Sequence, residues 1–142
     1  FYTAQKAFRA EHGIYYSNII TLGIVPEGDL RYNYGFNPAS VISVTRPPGL
    51  PDDVYNNPST AFRTVQQICG NDYSSLHAQD TVGYGSNCQV GTYVEYASLP
   101  AANFVTPSTF TAAAAGIIGG SAEDTWTMSH RKELININNG AL

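Results

Sequence analysis

At 142 residues the chain is long enough for one domain with a single core, and folding at this size buries roughly two-thirds of the surface the unfolded chain exposes. Only 13% of residues are charged, the formal net charge is −4, and the seven Lys and Arg residues are scattered, so the concentrated basic face that nucleic acid requires is not expected. No apolar run approaches the ~20 residues that span a bilayer. A surface of Asn, Ser, Thr, Gln, Gly and ten tyrosines, polar without being charged, is common among exported and cell-surface proteins.

The opening FYTAQKAFRAEHG places Phe1, Ala4, Ala7 and Phe8 at the i, i+3, i+4 spacing of an amphipathic helix. Gly13 suits the left-handed cap that ends it. No capping residue precedes Phe1 and no secretory signal is read, so residues 1–13 read as the C-terminal part of a longer helix already running at Phe1. The four stripe residues are expected to dock the helix on a sheet.

The hydrophobic but irregular connector IYYSNIITLGIVPEG has room for a short helix near Ser17–Leu22, with Gly23, Pro26 and Gly28 against a long one. Leu30–Phe36 alternates Tyr32, Tyr34 and Phe36 with polar residues and glycine, a strand pattern, and Ser40–Thr45 reads as its hairpin partner. Three prolines in Pro47–Pro51 enforce a loop. Ala61–Cys69 fits strand or short helix equally. Gln89–Leu99, Thr109–Gly120 and Asp124–Ser129 read as strands, the last two a hairpin turned through residues 119–123. The expected fold class is therefore α+β: one domain over 1–142, an N-terminal α-helix packed on a mainly antiparallel β-sheet.

Cys69 and Cys88 bracket a polar, Gly-rich segment. An even count in a surface-like composition favours a disulfide over two unrelated buried thiols. Closing such a loop stabilises by roughly 3 kcal/mol in the chain-entropy picture.

Nothing in the sequence is arranged for catalysis. His12, His77 and His130 are isolated, and no HExxH, CxxC or EF-hand spacing occurs. Ser129 and His130 are neighbours on a strand, so they point to opposite faces and do not form a nucleophile–base pair. Glu123, Asp124, Asn136, Asn138 and Asn139 carry oxygens suited to calcium, but their spacing matches no standard loop. No cofactor is expected, and no enzyme.

Two pieces of the chain carry a likeness. The first is Thr3–Tyr15, with Gly13 and Tyr15 followed by Leu22-Gly23 and by the strand with Tyr32, Tyr34 and Phe36. The second is Phe110–Ile118, then Asp124-Thr-Trp126-Thr-Met128 and a polar tail over Lys132–Leu142. In this order they resemble the globular domain of type IV pilins and pseudopilins over about a third of the chain. The resemblance implies a structural filament subunit serving attachment or motility, bridged by a disulfide and carrying a methylated N-terminus in its full-length form. It further implies partners in other pilin subunits, the assembly machinery and the inner membrane, reached through an apolar half-helix before Phe1. Localisation would be the surface filament, with the inner membrane preceding assembly. Two departures stand beside the likeness. Phe1-Tyr-Thr-Ala-Gln lacks the family's early glutamate, so Phe1 corresponds to a mid-helix position, and Cys88 lies well before the C-terminal position usual for the family's bridge. The competing readings are a type II secretion pseudopilin and, from another class, a secreted carbohydrate- or surface-binding β-module.

Overall fold

The computed structural model describes residues 1–36, 47, 64, 65, 69, 88–90, 99, 104–117 and 122–140. Helix α1 spans Tyr2–His12 without a side-chain cap at Phe1. It ends at Gly13, whose φ of 78° is left-handed and whose N–H reaches the Arg9 carbonyl at 2.8 Å. Glycine serves there because a β-carbon is strained at such a φ.

The buried positions of α1 are Gln5 and Phe8; Phe1 and Ala4 are partly buried and Ala7 is exposed. The expected stripe is thus corrected at Ala7. At ~100° per residue the inward face centres on Phe1, Gln5 and Phe8, and Ala7 lies more than ~100° round from that centre. What the stripe meets is corrected as well. After Gly13 the chain doubles back, and Ala4 and Phe8 pack in a cluster with Tyr16, Ile19, Leu22, Val65 and Cys69. Phe1 is the stripe residue whose ring meets the aromatics of the sheet side, edge-on to Tyr34, Phe36 and Phe110 with centroids 6.3, 5.4 and 6.4 Å away.

The returning connector is pinned by α1. Gln5 Nε2 donates to the Tyr16 carbonyl at 2.6 Å, and its Oε1 accepts from the Tyr16 N–H at 3.2 Å. Asn18 then nucleates a turn, its Oδ1 accepting from the N–H groups of Ile20 and Thr21 at 3.0 and 3.2 Å. Residues 19–23 form turns rather than the short helix the composition allows, because Gly23 at φ 71° closes the segment after a single turn.

Strand β1 (Gly28–Leu30) and strand β2 (Asn33–Gly35) divide what alternation presents as one strand. They belong to different sheets. β1 pairs in parallel with β3 (Cys88–Val90), and β2 pairs antiparallel with β5 (Phe110–Gly116). Arg31 and Tyr32 carry the chain from one to the other. The main sheet has the order β2-β5-β6-β7, with β6 at Asp124–Ser129 and β7 at Leu134–Asn138; β4 (Phe104–Val105) also pairs with β5. Its pairings are all antiparallel. The class is α+β.

β4 and β7 are additions to the sequence reading. β4 reaches β5 through a tight turn in which Thr106 Oγ1 accepts from the N–H groups of Ser108 and Thr109 at 3.3 and 3.0 Å. β7 follows a turn in which Lys132 adopts a left-handed φ of 67° and donates its N–H to the Ser129 carbonyl at 3.0 Å. Of the remaining expectations, the Ser40–Thr45 strand, the proline loop beyond Pro47, the polar segment 70–87, most of Gln89–Leu99 and the turn at 118–121 lie outside the described residues. In Ala61–Cys69, Thr64 bridges Gly35 while Val65 and Cys69 have helical backbone.

The alanines of β5 serve close packing. On one face Phe110 and Ala112 join Tyr15, Phe36 and Val105, with Phe1 and Tyr2 packed on them; on the other, Ala113 and Ala115 meet Leu99. Gly116 ends the strand, where a β-carbon would collide with the Arg31 carbonyl oxygen and press on Tyr32 at 3.1 Å. Gly116→Ala is therefore expected to cost about 1–3 kcal/mol through overpacking against backbone. A thermal melt superimposable on that of the parent chain would remove this account of the β1–β2 crossover.

Candidate functional site

Residues from both parts of the likeness meet around one carboxylate. Asp124 opens β6 and is 3% exposed. Its Oδ2 accepts from the Tyr32 hydroxyl at 2.5 Å and from Trp126 Nε1 at 2.7 Å, and its Oδ1 accepts from Asn136 Nδ2 at 2.9 Å. The backbone of Gly140 also bonds to it. These groups come from the β1–β2 crossover, β6, β7 and the segment beyond. Gly140 is required by the close approach, since a β-carbon there would lie 2.5 Å from the Ala122 carbonyl oxygen and 2.6 Å from the Asp124 nitrogen.

The donors, the Tyr32 hydroxyl first, hold the Asp124 carboxyl below the usual carboxylate range. The same bond raises the Tyr32 phenol, with burial adding to it. Because the folded pKa is depressed, the Asp124 contribution to stability is complete above the unfolded value of about 3.9 and is lost as pH falls through the lower folded value. Asp124→Asn is expected to lower Tm by several degrees at pH 7 and to flatten the decline in Tm below about pH 4. Parallel acid limbs for variant and parent would contradict the assignment.

Beside this cluster, on the sheet face that carries Phe1, lies a cavity of about 390 Å³ lined by Phe1, Ile24, Tyr32, Tyr34, Ala112, Ala113, Ala114, Trp126, Met128 and Leu134. Its wall is largely apolar, and its aromatic side chains come from both ends of the sequence. The outer strand β7 adds an apolar edge: Leu134, Ile135 and Ile137 are 58, 56 and 54% exposed. Adjacent Leu134 and Ile135 are both exposed, because β7 ends the sheet order and no inward face is set by its pattern.

The other residues of the likeness are packing positions. Gly13 caps α1, Tyr15 is wholly buried against Phe110 at a centroid distance of 4.8 Å, Leu22 is in the first core cluster, and Gly23 sits in the turn with its left-handed φ. Tyr34 lies beside Phe1 and Phe36 is buried in the second cluster. Cys69 is disulfide-bonded and buried beside Phe8. The chain's other cysteine is Cys88, the first residue of β3.

The oxygens considered for calcium are turned to other uses. Those of Asp124 accept N–H and O–H donors, Asn138 Nδ2 donates to the Glu123 carbonyl at 2.7 Å, and Asn139 is also bonded. Glu123 Oε1 is buried without a partner among the described residues. Among the described residues no group of three His, Cys, Asp or Glu is gathered to hold a metal, and no helix is long and apolar enough to cross a membrane. Ser129 Oγ donates to Glu133 at 3.0 Å rather than engaging His130.

Comparisons with protein-family models, curated proteins and solved structures found no match.

Proposed function

We propose that this chain is the globular domain of a type IV pilin-like protein, a structural filament subunit without enzymatic activity. The observation that carries the reading is the order and docking of the parts: an amphipathic helix first, seated through Phe1 on the aromatic side of an antiparallel sheet, and an Asp-x-Trp strand whose carboxylate takes the hydroxyl of Tyr32 just before the tyrosine strand. In this reading an apolar half-helix precedes Phe1, holds the subunit in the inner membrane before assembly and packs with its neighbours in the filament core. The exposed Leu134, Ile135 and Ile137 of β7 then offer apolar surface to adjacent copies. Attachment or motility follows at the level of the filament, outside the cell. A pseudopilin of a type II secretion system is the alternative within the same superfamily.

A second reading has its own observation. The cavity walled by Tyr32, Tyr34 and Trp126 is of the size and lining of small-ligand pockets, and a secreted surface-binding module would use it directly.

The coding sequence upstream of Phe1 separates the two. A short basic leader ending in Gly, followed by ~20 apolar residues with a Glu near their start, is the outcome expected. A conventional cleaved signal directly before Phe1 would overturn the filament reading in favour of the binding module. Electron microscopy of cells expressing the full-length gene then distinguishes a pilus from a secretion-system role.

A further inference from the structure

Two cations of α1 flank a buried hydroxyl that makes no geometric hydrogen bond among the described residues. Tyr15 is 0% exposed, and its hydroxyl makes no hydrogen bond among the described residues. Arg9 lies over its ring with the guanidinium carbon 4.7 Å from the centroid, and Lys6 Nζ stands 5.6 Å from the same centroid and 5.5 Å from that of Tyr2. Arg9 gives one N–H to the Ser108 carbonyl at 3.3 Å. The ion pair among the described residues, Glu11 with His12, involves neither cation. The opposite wall is the turn after β6, where the His130 ring is 6.3 Å from that of Tyr15 and Arg131 and Lys132 follow. Four of the chain's seven Lys and Arg residues therefore belong to the two elements that meet at Tyr15. The nearest carboxylate of that turn, Glu133, is engaged by Ser129.

A chain of net charge −4 has carboxylates to spare, yet among the described residues none is set against Lys6 or Arg9. A desolvated hydroxyl short of a full hydrogen bond is costly, and a cation pair flanking it supplies the N–H donors that recognise an oxyanion. We propose that Lys6, Arg9 and the Tyr15 hydroxyl form a binding site for an oxyanion group, a carboxylate or phosphate presented from outside the domain. Lys6 and Arg9 are long, half-buried side chains lying over the Tyr15 ring. Rotating either outward lets the phenol O–H donate to the anion while the ammonium and the free guanidinium N–H groups hold its charge. The electrostatics agree: burial pushes the Tyr15 phenol up, but Lys6 and Arg9 more than offset this and leave it below its ordinary value, while the same contact raises Lys6. The inference does not rest on the filament reading.

The test is a titration of the 1–142 chain with sodium phosphate, and separately sodium acetate, against sodium chloride at equal ionic strength. Amide and Tyr15 side-chain NMR shifts and Tm are the readouts. Saturable shifts confined to α1, Tyr15 and the 129–132 turn are expected, with a Tm rise of a few degrees at tenfold excess over Kd. Lys6→Gln is expected to weaken binding at least about fivefold, since a charge-assisted contact is lost. Tyr15→Phe keeps the ring and its packing, and is expected to weaken binding about threefold or more without lowering the Tm of the free protein. Linear shifts indistinguishable from those in chloride, or unchanged affinity in both variants, would overturn the site. Sedimentation velocity identifies the source of the anion. Concentration-dependent association that phosphate competes away and Lys6→Gln abolishes supports a carboxylate on a second copy. Phosphate binding with association unaffected supports a free oxyanion.

Discussion

Phe8→Ala is expected to destabilise the domain by about 3–5 kcal/mol, the range for emptying a large aromatic from a core. Phe8 is 6% exposed. Its ring stacks on Tyr16 at a centroid distance of 5.4 Å and 14° between planes, and meets the His12 ring at 4.4 Å. Around it stand Ile19, Leu22, Val65 and Cys69, so the void would open between the helix, the connector and the disulfide-bonded segment. None of those elements can collapse into it easily, because Gln5 and the disulfide hold two of them in place. Urea unfolding checks the value: the midpoint should fall with the slope unchanged. A midpoint equal to that of the parent would show that α1 is not seated through this ring. Phe8→Leu should recover more than half of the loss, since most of the apolar volume is restored.

The second large effect is expected at Gln5, a polar residue with no exposed surface. Its amide satisfies both backbone groups of Tyr16 at once, at 2.6 and 3.2 Å. Gln5→Ala removes the packing and both hydrogen bonds to the buried Tyr16 backbone, for about 2–4 kcal/mol. Gln5→Leu nearly preserves the volume but still removes both hydrogen bonds to Tyr16, so about 1–3 kcal/mol of that loss should persist. Should Gln5→Leu match or exceed the parent in stability, the clamp is not what secures the connector and simple filling of space is.

The helix, its glycine cap and the strand pair Phe110–Gly116 and Asp124–Ser129 were legible because short-range pattern determines them: a 3.6-residue apolar spacing, a glycine after the last turn, and β-compatible runs. Three things were not. Gln5 is inward although polar, because its partner lies 11 residues away and nothing local marks a backbone in need of an amide. Leu30–Phe36 is broken because tertiary pairing sends Leu30 to one sheet and Asn33–Gly35 to the other, which period-2 alternation does not encode. β7 was hidden by its position at an edge, where consecutive apolar residues face solvent and no buried face marks a strand. At the candidate site the Asp-x-Trp and tyrosine motifs were visible singly. Their meeting around one carboxylate, across 92 residues between Tyr32 and Asp124, was not. The unpartnered Tyr15 hydroxyl is likewise a property of assembled surroundings and leaves no trace in composition.

The Asp124 carboxylate also has a kinetic consequence. One acceptor group receives hydrogens from the crossover, from its own strand, from the outer strand and from the segment beyond it. An outer strand held by ladder bonds alone would fray by itself, and its amides would lose protium to deuterated solvent long before the neighbouring strand opened. Here, peeling β7 away also strips Asn136 and Gly140 from a carboxylate that Tyr32 and Trp126 depend on. The amides that β7 directs toward β6 should therefore exchange on a timescale close to those of β6 itself, making the C-terminal hairpin and the tyrosine crossover one cooperative opening unit.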